Sequence, residues 1–168
     1  RYHRPVQTFH ASLVSEVAPA LAAVEAAATR GLACVGFVAY EAAPAFDPAL
    51  VTQKPHGPML RFTAYESWED SDHLPLLDAG TIGDMAWQPE LSDDAYAEAV
   101  ERVRAFIAAG DTYQVNLTLR LRTSGHANPA ALFRQMAQCP KTALSAFLSD
   151  DDRAICCASP ELFFELHD

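Results

Sequence analysis

The chain has 168 residues, half of them apolar and a fifth charged, which is the composition of a folded protein rather than a disordered one. Its formal net charge of -10 argues against a nucleic-acid partner, whose phosphates need clustered Lys and Arg. No apolar run approaches the roughly 20 residues that span a bilayer, so a membrane role is not expected.

The opening Arg1-Tyr2-His3-Arg4-Pro5 has neither an initiator Met nor the pattern of a signal peptide, and the chain is expected to begin within a longer one. Pro5 to Ala11 reads as extended. An Ala-rich helix is predicted over Val14 to Thr29, with Ser15 as N-cap, Val17, Leu21 and Val24 as its apolar stripe, and Gly31 as its stop. Pro19 fits such a helix only in the first turn. Leu32 to Glu41 is almost continuously apolar and predicts a central strand, with Gly36 marking a bulge or a close packing partner. A loop punctuated by Pro44, Pro48, Pro55 and Pro58 follows. Met59 to Trp68 alternates as a strand, with Leu60, Phe62 and Ala64 on one face and Arg61, Thr63 and Tyr65 on the other.

An acidic linker, Glu69 to Asp72, leads to a strand candidate near Ile82 to Trp87, so a sub-boundary is placed within 69–91. The clearest helix runs from Asp93 to Ala109, capped by Ser92 and ended by Gly110, with Tyr96, Ala99, Val100, Val103, Phe106 and Ile107 on its apolar face. Thr112 to Arg122 predicts a strand with Tyr113, Val115, Leu117, Leu119 and Leu121 on one side. Asn128-Pro129 opens a helix reaching about Gln138. Ala143 to Leu148 and Ala154 to Cys157 flank three aspartates as a hairpin, and Leu162 to Leu166 resumes extended. Strands with hairpin-like neighbours and interspersed helices predict an α+β fold rather than a doubly wound one.

Three places break the amphipathic pattern. Gln114, Asn116 and Thr118 form a neutral polar row, either an exposed sheet face or a face that something else covers. Glu161 stands between two apolar segments, either solvent-facing at a hairpin end or held in a cleft where burial would favour its protonated form. Tyr40 and Glu41 close a strand just before an irregular loop, a position open to capping or to a site. The four cysteines, Cys34, Cys139, Cys156 and Cys157, form no C-x-x-C pair and are expected to be small buried hydrophobes in a reducing cytosol. The six histidines show no metal-ligand spacing. Phosphate-cradling glycine loops and the G-x-S-x-G elbow are missing.

Gly110-Asp111-Thr112-Tyr113-Gln114-Val115-Asn116-Leu117-Thr118, then Leu144-Ser145-Ala146-Phe147-Leu148, then Ala158-Ser159-Pro160-Glu161-Leu162-Phe163-Phe164 resemble consecutive blocks of the chorismate-utilising enzymes. Gly36 to Asp47 resembles a block of the aminodeoxychorismate synthase branch. G-D-x-Y-Q-V-N-L also sides with that branch, where the anthranilate synthase branch reads F-Q-V-V-P-S. The resemblance implies one fold over residues 1–168, a layered sandwich of mainly antiparallel sheets with outer helices, incomplete because a C-terminal half is missing. It implies conversion of chorismate and ammonia to 4-amino-4-deoxychorismate for 4-aminobenzoate and folate synthesis in the cytoplasm, a Mg²⁺ requirement and a glutamine amidotransferase partner.

Within that family the glutamate of the S-P-E block serves as acid and base at the C4 hydroxyl, which assigns Glu161 the catalytic role. The family's catalytic lysine, in a P-I-K-G-T block, and its Mg²⁺ carboxylates belong to positions beyond Asp168. Lys54 and Lys141 match no catalytic position. The equivalent of the family's tryptophan pocket falls at Ala143, Leu144 and Ser145, where Ala143-Leu144 departs from the usual proline–aromatic pair. The alternatives are a portion of anthranilate synthase component I, and a non-catalytic module that binds tryptophan or an amidotransferase.

Overall fold

Three antiparallel strands organise the N-terminal part. The computed structural model describes residues 1–70, 82–125, 127–138, 144–150 and 153–166. They divide into two compact units, Arg1–Pro75 and Leu76–Asp168. In the first unit β3 (Leu60–Trp68) lies between β1 (Tyr2–Ala11) and β2 (Ala33–Val38), antiparallel to both. The predicted alternation in β3 holds, because Leu60 and Ala64 are fully buried and Phe62 packs beside them. Val17, Val24 and Ala27 of helix α1 (Val14–Thr29) join the same cluster with Phe9, Ala11, Ala42 and Met59. Burying these apolar side chains is the main stabilising term of the unit.

Helix α1 has the predicted bounds but a different N-cap. Leu13, not Ser15, is the N-cap, and Glu16 reaches back so that its Oε2 accepts from Ser12 N at 2.8 Å and Leu13 N at 3.0 Å. The carboxylate thus meets two amides that no helical carbonyl can serve. Pro19 stands inside the helix, in its second turn, where its missing N–H leaves the Ser15 carbonyl without a helical donor. At the other end Gly31 takes φ +88°, Gly31 N donates to Ala28 O and Leu32 N to Ala27 O, closing the last turn.

Those amide bonds, Ser12 first and Leu13 second, hold the Glu16 carboxyl below its ordinary value of 4.5. A carboxyl lowered in the folded state stabilises the fold above its unfolded value, and the gain is lost as pH falls through the folded one. Glu16→Gln is therefore expected to be less stable than the parent chain at pH 7, with the gap narrowing below pH 4.5. Urea midpoints measured across that range test it, and a gap that stays constant with pH would refute it.

The predicted central strand over 32–41 is corrected in two respects. Among the described residues β2 pairs with β3 alone and stands at the sheet edge. It also stops at Val38, because its partner begins at Leu60, opposite Val38, and the ladder has nothing further to bond. Ala39 N still donates to Met59 O at 2.8 Å, and the chain then coils into a 3-10 turn over Tyr40–Ala45. The acidic linker is bound at its start: Glu69 exchanges backbone bonds with Arg1 and accepts from His3 Nε2 at 3.0 Å.

The second unit holds three elements that follow the sequence closely. Helix α2 (Asp93–Ala109) is capped by Ser92 Oγ, which accepts from Ala95 N, and ends at Gly110 with φ +82°. Helix α3 (Pro129–Ala137) starts at Asn128, whose Oδ1 accepts from Ala130 N. The hairpin pairs β6 (Leu144–Ser149) with β7 (Ala154–Ser159), and α3 lies on it through Phe133 and Phe147, with ring centroids 5.4 Å apart. Of its turn, Asp151 and Asp152 lie outside the described residues.

Two strand expectations fail here. Ile82 to Trp87 is irregular, and the strand β4 comprises Gln88–Pro89. The long strand predicted over Thr112 to Arg122 shrinks to β5 (Leu121–Arg122), paired with β4. A strand exists only where a neighbour completes its hydrogen bonds. β4 offers two residues, one a proline without an N–H, and the pairing ends with Glu90 N donating to Arg120 O. Tyr113, Val115, Leu117, Leu119 and Leu121 are left exposed, Tyr113 at 91%.

Burial is accordingly uneven. Helix α2 buries no residue, and Ala131 and Phe133 are the buried apolar side chains of the second unit among the described residues. Amide exchange should report the difference, since local opening costs little where few apolar contacts are lost. The central amides of α1 are expected to exchange more slowly than those of α2 by more than about tenfold. Equal protection in hydrogen-exchange mass spectrometry would contradict this. None of the described helices is long and apolar enough to cross a membrane.

Candidate active site

Glu161 is placed by the end of the β6–β7 hairpin. Ser159, the last residue of β7, pairs with Leu144, the first of β6. The Ser159 hydroxyl donates to Glu161 O at 2.9 Å and lies 3.2 Å from Glu161 N, which donates to it. This local turn, with Pro160 fixing the intervening φ, sets the direction in which the chain leaves the strand. The Glu161 side chain is exposed, and its carboxylate has no hydrogen-bond or ion-pair partner among the described residues. Of the two arrangements the sequence leaves open, this is the hairpin end facing solvent.

Around it the apolar chain does not resume as a strand. Leu162 to Leu166 is irregular; Phe163 and Phe164 touch edge to face at 5.2 Å, with Phe163 94% exposed. Leu144 and Ser145 begin β6 beside Ser159 and Ala158, so the hairpin brings two of the three pocket candidates next to the turn that carries Glu161. Leu144 is exposed and Ser145 half-buried. Ala143 lies outside the described residues.

Gln114, Asn116 and Thr118 are all exposed on the unladdered segment after α2. Thr112 Oγ1 donates to Gln114 O at 3.0 Å, a local turn bond. Tyr40 and Glu41 belong to the 3-10 turn of the first unit, where Glu41 O accepts from Thr52 Oγ1 and the Tyr40 ring is 83% exposed.

The cysteines are less enclosed than their apolar neighbourhoods imply. Cys34, Cys156 and Cys157 are free and half-buried, and Cys139 lies outside the described residues. Cys156 Sγ donates to Pro129 O at 3.3 Å, fastening β7 to the start of α3. Burial pushes its thiol up, partly offset by the Phe133 backbone N–H. This favours the protonated thiol, a packing group rather than a nucleophile.

One charged cluster has no signal in the sequence. Glu90 accepts from Arg122 Nε at Oε1, and its Oε2 lies 3.9 Å from Arg120 Nε, thirty residues further along the chain. Only the β4–β5 pairing brings them together, and the contacts are exposed and structural. Among the described residues no three His, Cys, Asp or Glu side chains converge to hold a metal ion.

Comparison with known proteins settles the family. The profile of the chorismate binding enzymes matches residues 3–168. Aminodeoxychorismate synthase component 1 of Klebsiella aerogenes is 30% identical over 100 residues, 60% of this chain and 22% of that protein. The protein of the same name from Bacillus subtilis is 34% identical over 71 residues, 42% of this chain and 15% of that protein. Anthranilate synthase component 1 of Thermus thermophilus is 35% identical over 79 residues, 47% of this chain and 17% of that protein. The matched stretches thus span less than a quarter of these relatives. No solved structure matches the chain. Matched along nearly its whole length, the chain belongs to the chorismate binding enzyme family.

Proposed function

We propose that this chain is part of an aminodeoxychorismate synthase component 1, in which Glu161 acts at C4 of chorismate. The observation that carries the reading is the family match over residues 3–168, with Glu161 of the Ser159-Pro160-Glu161 turn presenting a carboxylate that has no partner among the described residues. Relatives named aminodeoxychorismate synthase component 1, at 30% and 34% identity, support the branch. The Gly110-to-Leu117 block points the same way.

In its acid form Glu161 donates a proton to the C4 hydroxyl as the C4–O bond breaks. Water departs in place of hydroxide, a far poorer leaving group. The lone pair of ammonia forms the new C4–N bond, and the carboxylate takes the surplus proton from nitrogen. Chorismate and ammonia thus give 4-amino-4-deoxychorismate and water, with Glu161 restored. The name "component 1" of the relatives fits a second component, here a glutamine amidotransferase that releases the ammonia. The reading also includes a Mg²⁺ requirement. The product would serve 4-aminobenzoate and folate synthesis in the cytoplasm.

A second reading, anthranilate synthase, is favoured by the Thermus thermophilus relative at 35% identity. One assay distinguishes the two. A longer protein carrying this segment is expected to form 4-amino-4-deoxychorismate from chorismate, ammonia and Mg²⁺, and the 168-residue chain alone to form none. Anthranilate as the product would overturn the first reading and support the second.

A further inference from the structure

We draw no further inference here: the strongest candidate, the exposed apolar row Tyr113, Val115, Leu117, Leu119 and Leu121 on the unladdered segment after helix α2, carries nothing because nothing in the structure shows what covers it.

Discussion

Glu161→Gln is expected to lower kcat for amination of chorismate by about 10²–10⁴-fold in a protein that carries this segment with the rest of its active site. Glutamine keeps the shape of glutamate and can still donate a hydrogen bond, but it cannot deliver a proton to a departing hydroxide. The turn that aims the residue uses the backbone N–H and carbonyl of position 161 with the Ser159 hydroxyl, and substitution leaves both untouched. The side chain is exposed and has no partner among the described residues, so the variant should melt with the parent. A loss confined to kcat, with KM nearly unchanged, is the signature of a group acting in the transition state. A Glu161→Gln enzyme with kcat within about threefold of the parent would remove Glu161 from the mechanism.

Gly36→Ala is expected to destabilise the first unit by about 1–3 kcal/mol or more, the range for forcing extra atoms into a filled core. Gly36 lies opposite Phe62 in the β2–β3 ladder. A Cβ at this position would stand 2.0 Å from the Arg61 carbonyl oxygen, 2.6 Å from Phe62 Cα and 2.7 Å from Phe62 Cγ. Two of those three atoms are backbone, so a rotamer change cannot relieve the overlap and the two strands must part. Gly83→Ala is the control, because a Cβ there meets nothing within 4 Å. Chemical unfolding should show a lower midpoint for Gly36→Ala and little change for Gly83→Ala. Equal midpoints would mean that β2 and β3 do not approach as closely as the register requires.

Local signals in the sequence were readable wherever the structure they specify is itself local. Helices α1 and α2 carry their stops as Gly31 and Gly110, both with positive φ, and their bounds follow from periodicity and these ends. The β6–β7 hairpin needs only its two strands and a polar turn. The bounds of α1 hold, but its N-cap is Leu13 and not Ser15: Ser15 has the right chemistry, yet Glu16 satisfies the free amides from inside the helix. Strands were legible only when a partner was present. Leu60 to Trp68 and Thr112 to Arg122 alternate equally well, but the first has neighbours on both sides and the second has two residues of one. Alternation says which faces a strand would have; it cannot supply the strand beside it. The same limit applies at Glu161. The sequence marks a carboxylate between apolar segments, and whether it faces water or a cleft depends on what surrounds it, which no single segment encodes.

The order β1-β3-β2 also constrains the route by which the first unit assembles. β2 meets β3 across the loop from Val38 to Leu60, whereas β1 must bond residues as distant as Arg1 and Glu69, 68 positions apart. Closing the longer loop costs more chain entropy before any contact returns it. Synthesis proceeds from the N-terminus, so β1 emerges first yet must wait without its mate until β3 has been made. The middle strand is thus the late arrival on which both earlier ones depend, and a nascent chain cut short before Trp68 would leave the β1–β3 ladder unfinished.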